Sequence, residues 1–160
     1  MRQSPLPDDV SERLAHARVG IAGAGGMGSH VATALVRSGV GSVVVADFDR
    51  VDGSNLFRQC YLPTDVGRPK VEALRDHLLE IEPDLSIEIH DVTVDPSNAC
   101  SLFGRCDVVC ECFDRPEAKA MLVESILSGT DVPVVSCSGM AGFGSSNPIV
   151  TERRMSRLYV

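Results

Sequence analysis

Three features of the sequence predict an α/β fold: a Rossmann-like, doubly wound, mainly parallel sheet with helices on both faces. Strand-like and helix-like stretches alternate from Arg18 to Cys137, and such alternation requires right-handed crossovers between parallel strands. Ser42-Val43-Val44-Val45-Ala46 carries a continuous β-branched run, the pattern of a strand buried on both faces. A glycine cluster, Gly23-Ala24-Gly25-Gly26-Met27-Gly28, sits where the first strand hands over to the first long helix.

The elements follow in order. Residues 1–10 are polar and contain proline, which predicts an arm that orders only against a partner or the body of the protein. Val10 to Ala17 read as a short helix, so residues 1–17 stand apart from one domain over 18–160. Arg18–Ala22 is the first strand. The helix after the glycines places Val31 and Leu35 on one face and stops at Ser38-Gly39. From Phe48 to Arg68 there is no sustained periodicity, so this stretch reads as an ordered loop with one short helical turn. Pro69 suits a first helical position, and Val71, Leu74, Leu78 and Ile81 recur at helical spacing before Pro83. Leu85–Ile89 alternates strictly and predicts a strand with one exposed face near the sheet edge. Ser97 caps a short helix through Phe103; a strand at Asp107–Phe113, a helix at Pro116–Leu127 and a strand at Pro133–Cys137 complete the alternation. Gly139–Pro148 is a glycine-rich turn region, and Ile149–Val160 is strand material. No terminal helix follows Val160, which reads as a fold cut short.

Composition narrows the classes of function. The chain has 160 residues and a formal net charge of −7, with 44% hydrophobic and 23% charged residues. That length fits one domain burying roughly 68–70% of its unfolded surface. An acidic balance argues against nucleic-acid binding, which needs clustered Lys and Arg. No apolar run approaches the ~20 residues that span a bilayer, and Met1–Asp9 has no apolar signal core, so a cytoplasmic protein is expected. Cys100, Cys106, Cys110 and Cys112 lie close together but contain no C-x-x-C pair, so no zinc is expected. Within the apolar run Asp107–Phe113 a cysteine serves as a small apolar side chain.

The glycine cluster fits G-x-G-x-x-G between strand and helix, where backbone N–H groups and the helix N-terminus receive phosphate. Asp47 closes the second strand, where a carboxylate can hold ribose hydroxyls. These two features alone admit NAD and an oxidoreductase. The next segment favours a triphosphate: Arg58 can fork two phosphate oxygens and Lys70 supplies a compact charge.

The motifs G-x-G-G-x-G-S from Gly23, D-x-D-x-V-x-x-S-N-L-x-R-Q from Asp47 and D-x-G-x-x-K from Asp65 resemble the ThiF/MoeB/HesA family, relatives of the ubiquitin-activating enzymes. The likeness covers about Arg18 to Gly139 and is nearest to a short ThiF-like form, helped by Glu111-Cys112-Phe113-Asp114-Arg115-Pro116. It implies an ATP-dependent adenylyltransferase that activates the C-terminal glycine of a ThiS-like ubiquitin-like sulfur carrier protein, with thiamine thiazole synthesis as the pathway. It also implies a homodimer, ATP and Mg²⁺ as cofactors, and a C-terminal part of the family fold that is missing here. By motif match, Gly23, Gly25, Gly26, Gly28, Asp47, Asp49, Asn55, Arg58, Gln59 and Lys70 bind the nucleotide. Arg58, Lys70 and Asp114 are catalytic, Asp114 through magnesium. An arginine borrowed from the other protomer has Arg2 and Arg13 as candidates, neither matched by motif. Cys60 is expected to be inert, as a loop cysteine without a neighbouring base, and His30 to be packed or solvated. The rival readings are the NAD oxidoreductase and a non-catalytic ATP- or carrier-binding module.

Overall fold

A computed structural model describes residues 6–137 and 150–160. Its elements are α1 (Asp8–His16), β1 (Arg18–Ala22), α2 (Gly26–Arg37), β2 (Ser42–Ala46), α3 (Lys70–Ile81), β3 (Ser86–His90), α4 (Ala99–Phe103), β4 (Val108–Glu111), α5 (Pro116–Gly129), β5 (Val134–Ser136), β6 (Arg153–Met155) and β7 (Leu158–Tyr159). Two 3₁₀ turns, Gly53–Asn55 and Pro63–Asp65, punctuate the loop after β2. The sequence predicts one such turn there. The glycine-rich stretch expected at 139–148 lies outside the described residues.

The strands form one sheet in the order β3-β2-β1-β4-β5-β7-β6. Pairings are parallel except for the closing β6–β7 pair. The alternation along each strand explains the two layers. Val19 and Ile21 of β1 and Val43 and Val45 of β2 point into a core with Ala32 and Val36 of α2 and Val71, Leu74 and Leu78 of α3. Ala22, Val44, Ala46 and Val109 point the other way, against Phe103 of α4 and Leu122 and Ile126 of α5. Helices therefore cover both faces, and Val43–Ala46 of β2 are all buried because they have no solvent side. β3 lies at the sheet edge, as its alternation predicts.

Two predicted boundaries shift for a physical reason. Pro69 is the residue before α3 rather than its first member, with extended backbone at ψ 132°, because its neighbour Arg50 bridges it across the loop. Ser97 does not cap α4. Its amide and hydroxyl both donate to Asp95 Oδ1, and Asn98 takes the cap position.

Candidate functional site

The strand order reverses its direction of growth between β1 and β4, and a crevice opens there beyond the carboxyl ends of the strands, the place where open α/β sheets bind ligands. A cavity of about 490 Å³ occupies it. Its wall gathers Gly23, Gly25 and Gly26 after β1, Asp47 and Asp49 after β2, Val92–Val94 after β3, and Cys112–Arg115 after β4. Asn55, Arg58, Gln59 and Lys70 close it from the loop and the start of α3.

The glycine turn is shaped by two close approaches. Gly23 has φ +96°, and a side chain there would also meet the Cys112 carbonyl. Gly28 does not line the cavity. It is buried in α2, where a Cβ would lie 1.8 Å from the Gly23 oxygen, so its absent side chain lets helix and turn pack. Tyr61 braces the same turn from the loop, its hydroxyl donating to the Ala24 carbonyl at 2.6 Å.

The carboxylates and cations are already organised. Asp47 accepts the Ala24 amide at 2.6 Å and the Asp49 amide at 2.7 Å. Burial holds its carboxyl above the ordinary value against the pull of those two bonds. Lys70 is buried, with Nζ 2.7 Å from Asp49 Oδ2. Arg58 is exposed and donates through Nη2 to Asn55 Oδ1 at 2.8 Å, so Asn55 aims the guanidinium while Arg58 Nη1 lies close over Gly26. Gln59 is buried, and its Oε1 has no hydrogen-bond partner. An unmet buried acceptor costs about 1–3 kcal/mol, which a polar guest in the cavity would relieve. Asp114 is exposed at the rim.

Sequence reasoning missed the support beneath Asp114. Glu111 is fully buried at the end of β4, accepts the Phe113 amide at 2.7 Å and the Ser136 hydroxyl at 2.7 Å, and pairs with Lys119 of α5 at 3.0 Å. These bonds fix the turn that carries Asp114. The signal was present, since a glutamate inside an apolar strand is rarely buried unpaired. The expectation for Cys60 also needs correction: its Sγ lies 3.0 Å from His30 Nδ1, so the base that the sequence did not show is supplied by α2. Arg13 is exposed on α1, and Arg2 lies outside the described residues.

The clustered cysteines do not converge on one point. Cys106 and Cys112 are buried in the fold. Burial pushes the thiols of Cys106 and Cys110 up to about 11. Among the described residues no group of three His, Cys, Asp or Glu side chains could hold a metal ion, and no helix is long and apolar enough to cross a membrane.

A parallel sheet ordered 3-2-1-4-5, with a glycine turn and bound-in cations at its switch point, defines a Rossmann-type α/β domain. The chain belongs to the ThiF family, whose model matches residues 1–157. It is 40% identical over 114 residues to the probable adenylyltransferase/sulfurtransferase MoeZ of Mycobacterium tuberculosis, covering 69% of this chain and 29% of MoeZ. It is 38% identical to the adenylyltransferase and sulfurtransferase UBA4 of Candida glabrata, covering 82% of this chain and 30% of UBA4. Among solved structures, E. coli tRNA N6-threonylcarbamoyladenosine dehydratase TcdA in complex with ATP superposes with a TM-score of 0.85 at 27% identity, over 91% of this chain and 60% of TcdA. The chain spans under a third of the length of MoeZ and of UBA4.

Proposed function

We propose that this chain binds ATP and transfers its adenylyl group to a carboxylate, that of the C-terminal glycine of a ThiS-like ubiquitin-like sulfur carrier, in thiamine thiazole assembly. One observation carries the reading: the Gly23–Gly26 turn, Arg58, Lys70 and Asp114 come from four separate segments and face one cavity. The likeness to MoeZ and UBA4, both named adenylyltransferases, supports it. So does the ATP complex of TcdA.

The residues divide the work by position. The turn amides and the start of α2 receive phosphate oxygens. Asp47, held by the Ala24 and Asp49 amides, presents its remaining lone pairs to ribose hydroxyls. Val92, Val94 and Phe113 offer an apolar wall to the base. The carrier carboxylate, ionised at neutral pH, attacks the α-phosphorus; the bond to the β-phosphate oxygen breaks, and pyrophosphate leaves as the acyl adenylate forms. Arg58 and Lys70 meet the charge that grows on those oxygens and so stabilise the transition state more than the bound substrate. Asp114 fits magnesium, because a phosphate-borne Mg²⁺ needs only one or two protein carboxylates and this one is exposed on the cavity wall. The ion would neutralise charge on the departing pyrophosphate. A homodimer working in the cytoplasm completes the proposal.

The likeness to TcdA favours a second reading, in which a modified tRNA nucleoside replaces the protein tail. The formal net charge of −7 weighs against it. Exchange of labelled pyrophosphate into ATP tests the choice: it is expected only when a carrier ending in glycine is added. Exchange with tRNA and not with carrier would select the second reading. Thermal stabilisation by NAD, with none by ATP and magnesium, would instead restore the oxidoreductase.

A further inference from the structure

Cys60 follows the loop residues that reach the cavity, and its surroundings give it a chemistry of its own. Its amide donates to the buried Ser29 hydroxyl at 3.1 Å, and its carbonyl faces His77 Nδ1 at 3.2 Å. The backbone is therefore pinned, and the thiol is aimed at α2. There Sγ meets His30 Nδ1 at 3.0 Å, while the other ring nitrogen of His30, Nε2, lies 3.3 Å from the Arg58 carbonyl. A carbonyl only accepts, so the ring proton sits on Nε2 and Nδ1 presents its lone pair to the thiol. Nucleophile, base and orienting group stand in the order that activates a cysteine. Cys60 is half-buried and His30 is exposed, so a small reagent can reach the sulfur.

From this geometry we infer that Cys60 and His30 form a peroxide-reactive thiol site on the outer side of the loop that carries Arg58 and Gln59. The thiol proton passes to Nδ1, leaving a thiolate beside an imidazolium. The sulfur attacks one oxygen of hydrogen peroxide; the S–O bond forms as the O–O bond breaks, and sulfur gives up the two electrons that the peroxide gains. The departing hydroxide takes the proton from His30 and leaves as water. The product is a sulfenic acid, which an external thiol can return to the free cysteine. A peroxide suits the site better than a bulky oxidant, because the sulfur is partly covered and the imidazolium supplies the proton that the leaving oxygen needs. Four of the other five thiols offer a contrast. Cys106, Cys110, Cys112 and Cys137 are all shifted upward by burial, and among the described residues no histidine hydrogen-bonds to any of them.

The test maps dimedone adducts by mass spectrometry after brief exposure of the whole chain to hydrogen peroxide at pH 7. In parallel, iodoacetamide rates are measured at each cysteine, folded and in urea. Cys60 is expected to carry the main dimedone adduct and to alkylate at least about tenfold faster folded than unfolded. His30→Gln, which keeps a donor for the Arg58 carbonyl but removes the base, is expected to abolish that gain. A Cys60 rate no higher folded than unfolded would overturn the inference, whether or not the variant folds. Equal adduct on Cys60 and Cys137, or an unchanged rate in a folded His30→Gln protein, would do the same. None of these readouts depends on ATP binding.

Discussion

Lys70 and Asp49 are joined twice: the Lys70 amide donates to the Asp49 carbonyl at 2.9 Å, and Nζ lies 2.7 Å from Asp49 Oδ2. The lysine side chain is only 6% exposed while the aspartate is 49% exposed. The ammonium is thus held on the cavity wall by a carboxylate that water also reaches. Lys70→Met removes charge and desolvation cost together, so stability should change by about 1 kcal/mol or less, whereas pyrophosphate exchange should fall by roughly 10²-fold. Asp49→Asn strands the buried ammonium and should destabilise by about 1–3 kcal/mol. Urea titrations of both variants check the pair. A Lys70→Met protein that exchanges normally would take the lysine out of the chemistry.

Arg58 depends on Asn55 for its aim. Arg58→Ala should lower turnover by roughly 10²–10³-fold with the fold retained, since the guanidinium is exposed and supports no core. Asn55→Ala leaves the charge but frees it, and a smaller loss, about tenfold, is expected. Carrier-dependent exchange kinetics rank the two. The order Asn55 greater than Arg58 would contradict this account of the site.

Two glycines should respond in opposite ways to alanine. At Gly28 a Cβ would lie 1.8 Å from the Gly23 carbonyl oxygen, so helix and turn must separate, at a cost of about 3 kcal/mol or more. At Gly53 no atom lies within 4 Å and φ is not positive, so Gly53→Ala should stabilise by about 0.4–1 kcal/mol through the unfolded chain. Thermal melts of the two variants should fall on opposite sides of the parent.

Acid should unfold the protein through its paired carboxylates. Bonds from Arg68 and Arg75 lower the Asp76 carboxyl, and the bond from Arg18 lowers Glu88. Serine hydroxyl and amide donors lower Asp52 and Asp95. A carboxyl lowered on folding contributes stability that is present above its unfolded value and lost as pH falls through its folded one. Asp47 runs the other way, because burial raises it and its contribution is lost as pH rises. Four groups against one predict a urea midpoint that declines once pH drops below about 4. Glu88→Gln should make that decline shallower. A midpoint that holds steady down to pH 3 would refute the balance.

Much of this is legible in the amino-acid sequence alone. The valine run of β2, the helical spacing of Val71, Leu74, Leu78 and Ile81, and the alternation of β3 each report one element through its own period. Asn55, Arg58, Gln59 and Lys70 were readable as motif members. What was not readable depends on pairing between distant segments. Cys60 meets His30 thirty residues away, and Glu111 of β4 meets Ser136 on the neighbouring strand β5. Periodicity registers which face a residue takes, and says nothing of which polar atom waits on the element opposite.

The division between the two sources of information follows from range. Local sequence determined the elements, their order and the apolar faces, because backbone preference and side-chain alternation act over a few residues. The meetings of Asp49 with Lys70, of Glu111 with Ser136, and of a thiol with an imidazole were decided only when strands and helices packed together. Those contacts are hydrogen bonds and ion pairs about 3 Å long between side chains far apart in the chain, and only the packing of α2, α3 and α5 on the sheet brings their atoms to that distance.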